Sequence, residues 1–114
     1  MRLAALAVAL VPLAACQQTA ISPAPPPSVS GLRLVPVPSG LRVDGSGGRE
    51  IGLGRDRLGA LQSAARVEGE MPRPVSCASG REGFATKGGI TMVFEAGRFV
   101  GWEDGTGRAG RGCA

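Results

Sequence analysis

Residues 89–102 read GITMVFEAGRFVGW. Two apolar runs rich in β-branched and aromatic side chains, 89–94 and 98–102, flank Glu95-Ala-Gly-Arg98, which puts a glycine where a tight turn needs positive φ. The stretch predicts a β-hairpin. With Ala96 and Gly97 at the centre of the turn, Phe94 faces Phe99, Val93 faces Val100 and Thr91 faces Trp102. Ile90, Met92, Phe94 and Phe99 then share one face of the sheet, and Val93, Val100 and Trp102 share the other. A single short helix covers only one face of a small antiparallel sheet, so the second face needs another explanation. Either the chain's own tail, spacer or loops cover it, or a bulge near the turn shifts the register. The sharper alternative makes Val93, Val100 and Trp102 a patch that receives a binding partner.

Outward from the hairpin, the elements are short. Residues 41–44 and 49–53 alternate apolar with polar or small side chains around Gly45-Ser-Gly-Gly48, a second hairpin signal. Residues 56–68 place Leu58, Leu61 and Ala65 at helical spacing, flanked by Ala60, Ala64 and Val67. Asp56 supplies a start cap and Gly69 a stop, while Gly59 inside costs about 1 kcal/mol relative to alanine. Pro72 and Pro74 break the chain before Val75-Ser-Cys77, which is placed at a strand or its edge. The tail, 103–114, carries four glycines and no apolar run, so it needs a tether of its own. The fold class expected is α+β: a small disulfide-tied antiparallel sheet with one packed helix, behind a signal peptide and a proline-rich tether.

The amino-terminal third is of a different kind. Arg2 precedes thirteen apolar residues or prolines, 3–15, too few for a span that takes about twenty residues as a helix. This reads as an export leader. Its last residues, Leu13-Ala-Ala-Cys16, are followed by a tract that includes Ser22-Pro-Ala-Pro-Pro-Pro-Ser28 and Pro36-Val-Pro38. Proline fixes its own φ and biases the residue before it toward extended geometry, so the tract predicts a stiff, solvated spacer. The expected division is a signal peptide over 1–15, a proline-rich linker over 16–38 and a folded domain over 39–114, whose start is drawn at about Gly31 or Gly40.

With Cys16 in the leader's cleavage region, two cysteines remain, Cys77 and Cys113, and an even remainder in an oxidising compartment reads as a disulfide. Catalytic inventory is sparse. The chain has no histidine and no tyrosine, which removes the commonest general base and a usual metal ligand. No serine sits in a Gly-x-Ser-x-Gly elbow, and Lys87 beside Gly88 and Gly89 reads as solvated turn sequence. Gly54 and Gly59 have the spacing of a phosphate loop, but Ala60 follows where lysine is needed. Glu103 and Asp104 are neighbours whose side chains diverge on a strand, and Glu68 and Glu70 are expected to be solvated. Arg55 and Arg57 bracket Asp56 at the unfavourable end of the helix dipole, a surface salt bridge or an anion spot. No catalytic residue, metal site or cofactor is expected, and the chain is read as no enzyme. Without the leader, twelve basic residues stand against nine acidic ones, a net charge of +3. For an exported chain that balance points to an anionic membrane surface rather than to nucleic acid or nucleotide.

Leu13-Ala14-Ala15-Cys16 resembles the lipobox of bacterial lipoproteins. That resemblance implies a thioether-linked diacylglycerol on Cys16, loss of residues 1–15 and acylation of the new amino terminus with a chain such as palmitate. Several acyl chains anchor stably where one does not. By the same analogy Gln17, in place of aspartate, implies an outer-membrane lipoprotein facing the periplasm. The layout of the domain also resembles, in outline, the small α+β envelope lipoproteins of the SmpA/OmlA type, although that family has two helices ahead of its sheet and this chain offers one. The function expected is a non-catalytic structural or adaptor module of the cell envelope that contacts an envelope protein through Val93, Val100 and Trp102. The alternative is an anchored binding or inhibitor module for a periplasmic ligand or enzyme.

Overall fold

The computed structural model describes residues 31–78 and 80–114. In chain order they form β1 (Arg33–Val37), β2 (Gly40–Asp44), β3 (Glu50–Gly52), α1 (Arg57–Glu68), β4 (Arg73–Val75), β5 (Glu82–Ala85), β6 (Thr91–Glu95), β7 (Arg98–Glu103) and β8 (Arg108–Gly110). The strands make two antiparallel sheets, one ordered β1-β2-β3 and the other β4-β5-β6-β7-β8. This is the small α+β fold that the sequence predicts, with the sheet divided in two.

The first strand corrects the expected domain boundary. β1 lies inside the tract assigned to the linker, yet Leu34 is buried in the core and pairs in register with Val43. An edge strand tolerates prolines because one side of it has no ladder to complete, so Pro36 takes its place opposite Leu41. The folded unit therefore reaches back at least to Arg33, nearer the earlier of the two expected starts. β2 and β3 follow as the predicted hairpin, with Leu41 opposite Ile51 on the face that carries Leu34 and Val43.

The helix begins and ends where its caps dictate. Asp56 accepts the Gly59 amide at 2.8 Å, and Gly69, at φ 80°, returns its amide to the Ala65 carbonyl. Its buried face is not the predicted stripe. Ala60, Leu61, Ala64 and Val67 are buried, whereas Leu58 is 61% exposed. At about 100° per residue Leu58 lies about 130° from the centre of that face, and two alanines rather than leucines let the helix approach the sheets closely. Glu68, expected to be solvated, instead accepts the amides of Lys87 and Gly88 at 3.0 and 2.9 Å, which ties the helix end to the β5–β6 turn.

Backbone bonds join the two sheets through the connector ahead of α1. Gly54 donates to the Phe99 carbonyl, Phe99 to that of Arg55, and Arg57 to that of Gly97. Leu34, Leu41, Val43 and Ile51 from the small sheet, the buried face of α1, and Ile90, Met92, Phe94, Phe99 and Trp102 from the large sheet form one core. Phe84 stands edge-on to Phe94 at 5.6 Å beside it.

The hairpin of β6 and β7 decides which residues enter that core. Ala96 and Gly97 both have positive φ, 51° and 75°, the requirement of a two-residue type I′ turn. Glu95 pairs with Arg98 and Phe94 with Phe99, as expected; beyond them the register slips, and Val93 faces Gly101 while Met92 faces Trp102. Val100 is the extra residue of a bulge. The slip turns Trp102 to the core side with Met92 and Phe94, overturning the predicted pairs Val93–Val100 and Thr91–Trp102.

The far face of the large sheet is closed by the tail. Gly83, Val93, Gly101 and Gly110 lie in one row across β5, β6, β7 and β8. The Cys77–Cys113 disulfide lies over that row: a Cβ built on Gly83 would sit 2.7 Å from the sulfur of Cys77 and 3.0 Å from that of Cys113. A Cβ on Gly101 would collide with the Arg111 backbone. The missing side chains make room for the strap, and Val93 beneath it is fully buried. Arg111 donates its amide to the Val100 carbonyl at 2.9 Å, Ala78 donates to that of Cys113 at 2.7 Å, and Glu103 accepts the Cys113 amide. Arg81 and Arg111 meet Glu95 at 3.7 and 3.2 Å on the same face.

Two outcomes test this account. Ala96→Asn, which suits a left-handed turn position better than alanine, should raise stability by about 0.5–1 kcal/mol in chemical denaturation. Cys113→Ser opens a loop of 36 residues and should lower stability by about 4 kcal/mol, with faster amide exchange at Val93 and Arg111.

Candidate functional site

Of the residues singled out in the sequence, Cys16 lies outside the described residues. Cys77 and Cys113 are bonded to each other. The structure does not bring Val93, Val100 and Trp102 together as an open patch. Val93 is fully buried beneath the strap and Trp102 is 7% exposed on the opposite, core side. Val100 is half-buried at the bulge. The Trp102 indole N–H donates to the Val37 carbonyl at 2.8 Å, so its polar edge links the large sheet to β1 rather than facing a partner.

Acidic residues near the tail serve their own chain. Asp104 accepts from the Thr106 amide at 2.9 Å, the Thr106 hydroxyl at 2.8 Å and the Gly107 amide at 2.8 Å, and so shapes the β7–β8 turn. These bonds, that of the Thr106 amide foremost, hold its carboxyl below the ordinary carboxylate range. Among the described residues no three histidine, cysteine, aspartate or glutamate side chains converge in metal-binding geometry.

A different region forms an open surface groove, and it is assembled from residues far apart in sequence. A groove of about 630 Å³ runs between α1 and the small sheet. Leu32, Val43, Ile51 and Val67 give it an apolar floor, and Arg49, Arg55 and Arg66 line it with a single acid, Glu50. Arg49 enters from the β2–β3 loop, Arg55 from the connector ahead of α1 and Arg66 from the last turn of the helix.

The charge in this groove is only partly compensated. The acid pairs of the described residues use Arg33, Arg42, Arg57, Arg81 and Arg111. Arg57, which the sequence pairs with Asp56, reaches Glu82 at 2.6 Å instead, while Asp56 is occupied as the helix cap. Arg49, Arg55 and Arg66 make no ion pair among the described residues, and Glu50 accepts a hydrogen bond from the Ser39 hydroxyl. Three guanidinium groups against one carboxylate leave two net positive charges over an apolar floor. Such a surface suits an anion that carries an apolar portion. Only Arg55 had been singled out in the sequence as an anion spot, and its partner there was Arg57, which the ion pair with Glu82 removes.

Comparison with protein-family models, with curated proteins and with solved structures finds no match to this chain.

Trp102→Ala should destabilise the fold by about 3–5 kcal/mol, because it empties a buried aromatic site and leaves the Val37 carbonyl without its donor. A variant that keeps full stability in urea denaturation would mean that Trp102 is not core.

Proposed function

We propose that this chain is a non-catalytic lipoprotein of the cell envelope. In this reading its domain is a small structural or adaptor module, held by diacylglycerol on Cys16 and displayed on a proline-rich tether. The observation that carries it is the Cys77–Cys113 bond. Disulfides of this kind persist in oxidising compartments and are rare in the cytosol, so the bond agrees with the export leader and lipobox pattern at 1–16, a feature wholly separate in sequence.

In this reading the tether begins at Cys16, seventeen residues ahead of the first strand at Arg33. The domain is thus free to meet envelope components near the surface to which it is fixed. The surface first considered for that contact, around Trp102, is core, so the contact falls to the arginine-lined groove. A second reading, an anchored inhibitor or binder of a soluble periplasmic ligand or enzyme, draws on the same groove.

Metabolic labelling with radioactive palmitate in a bacterial host tests the anchor. The native chain should take up label and appear in mass spectrometry without residues 1–15, and Cys16→Ser should remain unlabelled and unprocessed. A native chain that stays unlabelled, or whose mature form begins at Met1, would overturn the proposal.

A further inference from the structure

We infer that the groove between α1 and the small sheet binds the phosphate-bearing headgroup of an anionic phospholipid in the membrane that holds the anchor. The inference rests on the lipoprotein reading above and names the envelope component that the domain contacts.

Three observations converge. The first is charge complementarity. Arg49, Arg55 and Arg66 approach one groove from three separate elements and, like Arg73, Arg98 and Arg108 elsewhere, have no acidic partner among the described residues; only these three share a concavity. A guanidinium fork matches the geometry of a phosphodiester, and three of them around one concavity suit a single anionic head better than a diffuse layer of counterions. The second is the floor. Half-buried Leu32 offers apolar surface beside the arginines, which fits the glycerol and the first methylenes of a lipid and gives nothing to free phosphate.

The third is position. Leu32 lines the groove directly ahead of β1, sixteen residues after Cys16 in sequence. Fifteen residues span at most about 50 Å even when fully extended, which confines the groove to the neighbourhood of the bilayer. The chain's own preceding segment is a poor competitor. Residues 17–30, QQTAISPAPPPSVS, contain no acid to meet the arginines.

The test uses the full acylated chain in nanodiscs, with hydrogen exchange read by mass spectrometry over 46–55 and 61–68. Discs of phosphatidylcholine with about one third phosphatidylglycerol should slow exchange in these segments at least threefold relative to discs of phosphatidylcholine alone. Arg49→Gln/Arg55→Gln/Arg66→Gln should abolish the difference, and Arg66→Gln alone should reduce it. Arg73→Gln/Arg108→Gln, which removes two exposed arginines outside the groove, should leave it intact. All variants should keep the exchange protection of Phe94 and Phe99, which reports the fold.

Equal exchange in the two kinds of disc, or an undiminished difference in the triple variant, would overturn the inference. So would equal protection on phosphatidylcholine discs with added inorganic phosphate, since that would make the groove a site for free anions. A chain that fails to stay on either disc indicts the anchor instead, which separates failure of the lipoprotein reading from failure of the groove.

Discussion

Between Phe99 and Gly101 the seventh strand carries one residue more than its partner, and the remainder of the large sheet is arranged around that surplus. Side chains alternate across a strand, so a slip of one residue exchanges the two faces beyond it. Without the bulge at Val100, Trp102 would point away from Met92 and Phe94, and the core would lose its largest side chain. With it, Phe94, Phe99, Met92 and Trp102 stand together, and the indole reaches the Val37 carbonyl in the small sheet. The bulged residue also receives the tail, since its carbonyl accepts the Arg111 amide. One inserted residue thereby orients the core on one side and fastens the closing segment on the other.

The two faces are closed by different means. Helix and small sheet cover one with apolar side chains. The other is a row of three glycines around Val93, too bare for ordinary packing, and is sealed by a disulfide and a backbone strap. A unit of this size has little apolar area to bury, so a covalent cross-link supplies what a larger core would. This division also explains why an arginine-lined groove persists at the seam between α1 and β3. The strap lies on the far side of the large sheet and does not reach it.

Much of this was legible in the chain. Asp56 and Gly69 marked the helix because capping is a local chemistry of one or two residues. Ala96 and Gly97 marked the hairpin because a two-residue turn leaves few alternatives. Cys77 and Cys113 were the sole pair left once Cys16 was assigned elsewhere. What escaped was decided by contacts distant in sequence. A bulge near the turn was among the readings of the two apolar faces, but nothing in Phe99-Val-Gly-Trp102 placed it at Val100 or turned Trp102 inward. β1 was hidden by Pro36 and Pro38, and β5 and β8 are short, glycine-containing strands recognisable only against their neighbours. The groove draws arginines from a loop, a connector and a helix end, a grouping that no spacing announces.

The strap has a consequence for timing. While its thiols are reduced, the strap over Gly83, Val93 and Gly101 is held by hydrogen bonds and the Arg111–Glu95 ion pair alone. Closing the Cys77–Cys113 bond adds a covalent latch to that strap, so the last fold element to be fixed is set by the redox state around the chain rather than by its sequence alone.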